Sequence, residues 1–150
     1  MTNGNTAILV DTNLLVYASV DSPHHERTRE WLRTAFSDRE SFVGLTWPVL
    51  YSFVRLVTNR RIVGDHAVNL PDAWSAAEQF RRQPNARILQ SGARHPAIAR
   101  RLISTPGLAG NDVPDVHLAA MAIEHGVSLA THDHGFARFQ GLDWFDPLAT

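Results

Sequence analysis

Among its 150 residues the chain has no cysteine and no lysine. Without cysteine there is no disulfide, no thiolate nucleophile and no cysteine-held zinc, which fits a reducing cytoplasm, the compartment we expect. Without lysine, every mechanism that needs a catalytic amine is excluded. All 14 basic residues are therefore arginine, the better bidentate ligand for phosphate, although base composition of the genome also produces such a bias. Long apolar runs are missing too: nothing approaches the roughly 18 to 20 residues that span a bilayer. The opening MTNGNTAILV has no basic segment ahead of its short apolar run and does not read as a signal peptide. Net charge is nearly absent as well; at −1 there is no global basic field to draw in nucleic acid. Repeats, low-complexity stretches and long linkers are lacking, so residues 1–150 are expected to form one domain.

What is present alternates in type. TAILVDT, SFVGLT, ARILQ and VSLATHD read as short buried strands, with LDWF as a short fifth. Helical spacing predicts a helix in DSPHHERTREWLRTAFSD, with Ser22 as N-cap and Pro23 at the first helical position. It predicts another in TWPVLYSFVRLVTN, capped by Thr46, and a third in LPDAWSAAEQFRRQ, ended by Pro84. HPAIARRLIST and DVPDVHLAAMAIEHG complete the set, the last stopped by Gly126. Strands alternating with helices imply parallel pairing and a three-layer α/β/α sandwich, in which ligands gather at the carboxyl ends of the strands.

The carboxylates fall on that edge. Asp11 ends the first strand, where the carboxylate is expected to emerge from the core and not to be a buried charge. Asp133 follows the fourth strand, and Asp112 and Asp115 open the helix before it. Residues three apart share a helix face, and two carboxylates about 4 Å apart repel by roughly 4 kcal/mol at an effective dielectric near 20. A divalent cation resolves the conflict. Hard Mg²⁺ or Mn²⁺ takes oxygen ligands and substrate phosphate, lowers the pKa of a bound water and neutralises charge on a phosphodiester. Asp112 and Asp115 have a plainer reading as helix caps and Asp133 as a turn residue; for Asp11 the plain reading as a strand end is weaker, because Asp is depleted in strands.

ILVDTNLLVYA, WPVLYSFVRLVT and NDVPDVHLAAMAIEHGVSLATHDHGFARF resemble, in this order and over nearly the whole chain, a PIN-domain ribonuclease, and more narrowly the VapC-type toxins of type II toxin–antitoxin modules. The resemblance implies a sheet of four or five parallel strands in order 3-2-1-4-5, which sets strands one and four side by side. It implies Mg²⁺- or Mn²⁺-dependent cleavage of RNA, a homodimer, and inhibition by a cognate VapB-type antitoxin. By position, Asp11, Asp115 and Asp133 match the family's metal-binding acids, with Asn13 as a supporting polar group. Two departures matter. Where many relatives carry a Glu in the second long helix, this chain has Ser52, and where many carry another Asp before the Phe of DHGF, it has Gly135. Asp112, one turn from Asp115, is the candidate to compensate.

Among other candidates, Arg55, Arg60 and Arg61 follow Ser52 and are the preferred RNA phosphate contacts; Arg81, Arg82, Arg100 and Arg101 read as solvated helix ends or faces for an antitoxin. His132 and His134 flank Asp133. If extended, the two histidines share one face and Asp133 takes the other, so the three do not readily bind one ion. His117 is expected to point away from Asp115. Trp31, Trp47, Phe53, Trp74 and Phe80 read as core or interface aromatics. The principal expectation is a metal-dependent endoribonuclease toxin. A rival is phosphoryl transfer through an aspartyl phosphate, as in receiver domains or haloacid-dehalogenase-like phosphatases, but both resemblances call for a lysine. The non-enzymatic alternative is a catalytically weak or inactive PIN-like module that binds RNA or its partner.

Overall fold

The computed structural model describes residues 7–149. The expected start of the first strand, Thr6, and most of the N-terminal stretch judged not to be a signal peptide lie outside the described residues. Five short strands form one parallel sheet in the order β3-β2-β1-β4-β5: β1 Ile8–Val10, β2 Val43–Leu45, β3 Ala86–Ile88, β4 Ser128–Ala130 and β5 Trp144–Phe145. β1, β2 and β4 are buried along their whole length. Strands covered on both faces carry aliphatic runs with no polar alternation; ILV is of that kind, while VGL and SLA are equally buried but include Gly44 and Ser128.

The helices are α1 Thr12–Ser19, α2 His25–Ser37, α3 Trp47–Val57, α4 Arg60–Val63, α5 Leu70–Arg81, α6 His95–Ile103 and α7 Val113–His125. They pack in two groups, α1 with α2 and α3 and α3 with α5, and separately α6 with α7, giving the three-layer α/β/α sandwich. No described helix is long and apolar enough to cross a membrane. α3 buries Val49, Leu50, Phe53 and Val57 on one stripe and is capped by Thr46, whose hydroxyl accepts from the Val49 N–H at 3.3 Å. α7 ends at Gly126, which takes the left-handed conformation (φ 64°) that a side chain resists.

One expected helix start needs correction, since Pro23 lies ahead of the helix rather than at its first position, and one helix was not expected. α2 begins at His25 with His24 as N-cap; Ser22 instead accepts from the His24 N–H in the preceding turn. α1, directly after Asp11, was not anticipated. TNLLVYAS has little amphipathic contrast because Leu14, Leu15 and Val16 are all buried, and a helix buried nearly all round carries no clean period.

Candidate functional site

Strand register builds the site. Val10 pairs with Ala130, and Ala130 with Phe145. The residue after each therefore stands in a row along the carboxyl edge: Asp11, Thr131 and Asp146. Backbone bonds hold that row, from Asp11 N–H to the Ala130 carbonyl at 3.0 Å and from Thr131 N–H to the Phe145 carbonyl at 3.0 Å.

Asp11 is fixed through both oxygens. Oδ1 accepts from the Thr12 N–H at 2.7 Å, and Oδ2 accepts from the Thr131 hydroxyl at 2.7 Å. Asp11 is also the N-cap of α1. Contrary to the expectation from sequence, its carboxylate is largely desolvated. Burial pushes its pKa up, the hydrogen bonds from Thr131 and Thr12 pull it down, and the charge of Asp133 raises it again. The strand does end where the core does, but the carboxylate is held between the start of α1 and the fully buried Thr131. Thr131, fully buried, also accepts from the Asp133 N–H at 3.0 Å. One hydroxyl thus spaces Asp11 from the Asp133 loop, a role that no sequence signal announced.

Asp115 lies in the first turn of α7. Its pKa is raised to about 6, first by burial, then by the charges of Asp11 and Asp133; Arg138 works against this, and Asp112 adds to it. The acids of four sequence positions therefore act on one another. Asp133 is exposed and caps a 3₁₀ turn, Oδ1 accepting from the Gly135 N–H at 2.9 Å. It fills the turn role, and its charge still acts on Asp11 and Asp115. Asp112 is committed elsewhere: Oδ2 accepts from the Ala109 N–H at 2.9 Å and Oδ1 from Arg138 at 3.2 Å. These bonds, the backbone one foremost, hold its carboxyl below the usual range. Arg138 bonds Asp115 as well, at 3.1 Å. Arg138 was missed from sequence because its place beside α7 follows from the fold alone.

A cavity of about 320 Å³ opens beside these groups, lined by Asp11, Thr12, Ser52, Asp115 and His117 among others. Ser52 thus faces the acids, as its position in the second long helix implied. His117 does not point away as expected. It lines the same cavity, 5.6 Å ring to ring from His95, and burial and that neighbour lower its pKa. At Gly135 a Cβ would stand 3.0 Å from Asp133 Oδ1, so this loop form suits glycine and crowds the acid that many relatives carry there.

Other candidates sit further out. Asn13 is exposed on the first turn of α1, and no side-chain hydrogen bond is seen for it among the described residues. Arg55, Arg60 and Arg61 are exposed and, among the described residues, paired with no carboxylate. Arg81 and Arg82 pair with Glu78, and Arg101 donates to the Gln140 carbonyl at 2.8 Å. The segment is not extended as that reading supposed, since His134 opens a 3₁₀ turn, and His132 and His134 both meet Asp146 rather than Asp133. Phe53 is core; Phe80 packs between Phe36 and Phe53. Trp47 and Trp74 stack at 6.4 Å with Tyr51 beside them, all three exposed.

The donor chemistry of the acids suits a hard divalent cation, although among the described residues the three carboxylates do not fall into one group with ligand atoms within 4.8 Å of one another. Asp11, Asp115 and Asp133 offer only oxygens, and burial first and neighbouring carboxylate charge second raise the first two; hard cations of the Mg²⁺ class take such ligands. His117 lines the cavity beside the acids, and burial lowers its pKa.

The PIN domain family model matches residues 8–142. The chain is 38% identical over 144 residues to Ribonuclease VapC33 of Mycobacterium tuberculosis, covering 94% of this chain and 98% of that protein. It is 40% identical over 142 residues to VapC ribonuclease Mb2897 of Mycobacterium bovis, covering 94% and 95%. Among solved structures, VapBC2 from Rickettsia felis, bound to a DNA fragment from its promoter, aligns with a TM-score of 0.70 over 93% of this chain and 98% of that one, at 18% identity. Mycobacterium tuberculosis VapC20, described as a sarcin-ricin loop cleaving toxin, aligns at 0.65 over 91% and 99%, also at 18% identity; likeness at that level speaks for the fold alone. With a family model covering most of the chain and relatives matched almost end to end, the chain belongs to the PIN-domain family, within its VapC ribonucleases.

Proposed function

We propose that this protein is a metal-dependent endoribonuclease, the toxin of a type II toxin–antitoxin module. The observation that carries the reading is Asp115, raised to about 6 by burial and by the charges of Asp11 and Asp133. Separate elements hold these acids at one sheet edge, and Arg138, the cation bonded to Asp115, leaves it raised all the same. Asp11, Asp115 and Asp133 would hold Mg²⁺ or Mn²⁺, which supplies charge neutralisation at the phosphodiester and a more acidic bound water. Thr131 and the Thr12 N–H keep Asp11 oriented. Arg138 holds Asp115 in place through a bond shared with Asp112. Arg55, Arg60 and Arg61 contact RNA phosphates. Asn13, on the exposed side of α1, serves as a polar contact at the rim.

The relatives' names support the toxin reading, and the exposed Trp47–Tyr51–Trp74 cluster is the surface we assign to the antitoxin or to the second copy of a homodimer. The cytoplasm is the compartment consistent with a chain free of cysteine. A second reading, a weakened module that binds RNA without cutting it, draws on Ser52 in the cavity and Gly135 beside Asp133.

Antitoxin-free protein incubated with RNA and Mg²⁺ or Mn²⁺ tests the proposal. Cleavage should require the metal and fall more than about 100-fold in Asp115→Asn, beyond what loss of a merely supporting residue causes. Cleavage undiminished in Asp11→Ala would overturn it, and metal-independent RNA binding without cleavage would favour the weakened module. Replacing Arg55, Arg60 and Arg61 with Gln should flatten the salt dependence of single-stranded RNA binding by about 2 in log–log slope.

A further inference from the structure

Beside the acid cluster lies a group of different chemistry. His132 Nδ1 and His134 Nε2 both lie on Asp146 Oδ2, at 2.9 and 2.8 Å. All three potential donor atoms fall within 4.8 Å of one another. Asp146 is nearly buried, its side chain only 6% exposed, and its other oxygen is fixed by the Leu148 N–H at 2.9 Å. His134 is open to solvent, at 67%, and His132 is braced by the rings of His24 at 4.8 Å and Tyr17 at 6.1 Å. We propose that His132, His134 and Asp146 form a second metal site, distinct from the acid cluster and suited to a borderline divalent transition ion of the Zn²⁺ type.

The donor set separates the two sites. Imidazole nitrogens suit Zn²⁺, Ni²⁺ and Cu²⁺, whereas a set of carboxylates suits Mg²⁺ and Mn²⁺. Two imidazoles and one carboxylate are three protein ligands, and the exposed side at His134 leaves the fourth position to water. Zinc bonds of about 2.0–2.2 Å in a tetrahedron set donors about 3.3 Å apart. The two spacings to Asp146 would open by about half an ångström, within reach of an exposed histidine on a 3₁₀ turn.

The topology gives the site its consequence. Its ligands come from the loop after β4 and the residue after β5, so an ion there ties the two carboxyl-edge segments together. Asp133 lies between the two histidines in that loop, and the ion would limit its motion. The site rests on its own three residues, and it stands whether or not the acid cluster cuts RNA.

The test uses full-length protein carrying no polyhistidine tag, stripped with chelator and kept in excess Mg²⁺. Zn²⁺ is titrated by calorimetry and Co²⁺ by its visible d–d bands. One equivalent should bind, and long-range imidazole ¹⁵N spectra should show metallation at Nδ1 of His132 and Nε2 of His134. Because His134 is exposed, His134→Ala should keep the fold by circular dichroism yet weaken Zn²⁺ binding by at least about tenfold. Asp146→Asn should do the same, while Asp115→Asn leaves the affinity within about twofold. Binding unchanged in His134→Ala, binding lost in Asp115→Asn, or no Zn²⁺ heat and no Co²⁺ bands would each overturn the proposal.

Discussion

At Asp11 a desolvated carboxylate is kept in place by one backbone N–H and one hydroxyl. A hydrogen bond to a charged group contributes about 1.5–3 kcal/mol, and Thr131 supplies one of the two. In Thr131→Val the carboxylate should lose orientation, so Mn²⁺ affinity should drop by at least about tenfold, and Thr131→Ser should restore it. A Thr131→Val protein that binds Mn²⁺ like the wild type would mean that the Thr12 N–H alone orients Asp11. Ser52 offers the converse experiment. It lines the cavity with Asp11 and Asp115, so Ser52→Glu should add a fourth carboxylate and tighten Mn²⁺ binding severalfold, read by calorimetry. Unchanged affinity would show that the cavity does not bring position 52 to the ion. At this scale the sequence was legible for Asp11, Asp115 and Asp133 because each abuts a recognisable element end. Thr131, Arg138 and His117 were not legible: a threonine after a strand, an arginine in a loop and a histidine on an apolar helix look ordinary until register and packing bring them to the acids.

Elements position these side chains, and their ends are where they are most easily perturbed. α7 carries Asp115 at its start and closes at Gly126 in the left-handed region. Gly126→Ala should cost about 1 kcal/mol of stability by urea denaturation with little change in cleavage, because the strain falls at the far end of the helix from Asp115. A loss of cleavage out of proportion to stability would show that the C-cap sets the pitch of the whole helix. α3, bearing Ser52, is held by Phe53, which is fully buried against Phe80. Phe53→Ala should cost about 3–5 kcal/mol. α3 was readable in advance because its stripe at Val49, Leu50, Phe53 and Val57 is clean and Thr46 caps it. α1 was not, since its apolar residues extend around the helix and Asp11 serves both as strand terminus and helix cap.

For the whole molecule, the clustered acids couple folding, protons and metal. Asp115 has its folded pKa raised to about 6 from 3.8, and Asp11 is raised as well. A raised carboxyl means the folded state holds a proton that the unfolded chain has already released. The metal-free fold therefore loses stability from these groups as pH rises from near 4 through about 6, and keeps that loss at higher pH. A divalent cation offsets the repulsion where the acids are ionised. The rise in melting temperature caused by Mg²⁺ should thus be larger at about pH 7.5 than at about pH 5. Asp115→Asn should stabilise the metal-free protein at the higher pH and have little effect near pH 4. A Mg²⁺ effect independent of pH would remove Asp115 from the ion's ligands.

Local chemistry decided much of this protein in advance. Buried aliphatic triplets fix strands, caps and glycine fix helix ends, and the alternation of the two requires a parallel sheet with helices about it. An aspartate at a strand terminus then falls at the carboxyl edge, where such sheets present their ligands. Only the tertiary structure could decide which other groups share that edge. The pairing of Val10 with Ala130 and of Ala130 with Phe145 sets Asp11, Thr131 and Asp146 in one row, although Asp11 and Thr131 are 120 positions apart in the chain. Register is a property of paired strands, so His132 and His134 gain Asp146 as a partner, and Asp115 gains Arg138, only once the chain has folded.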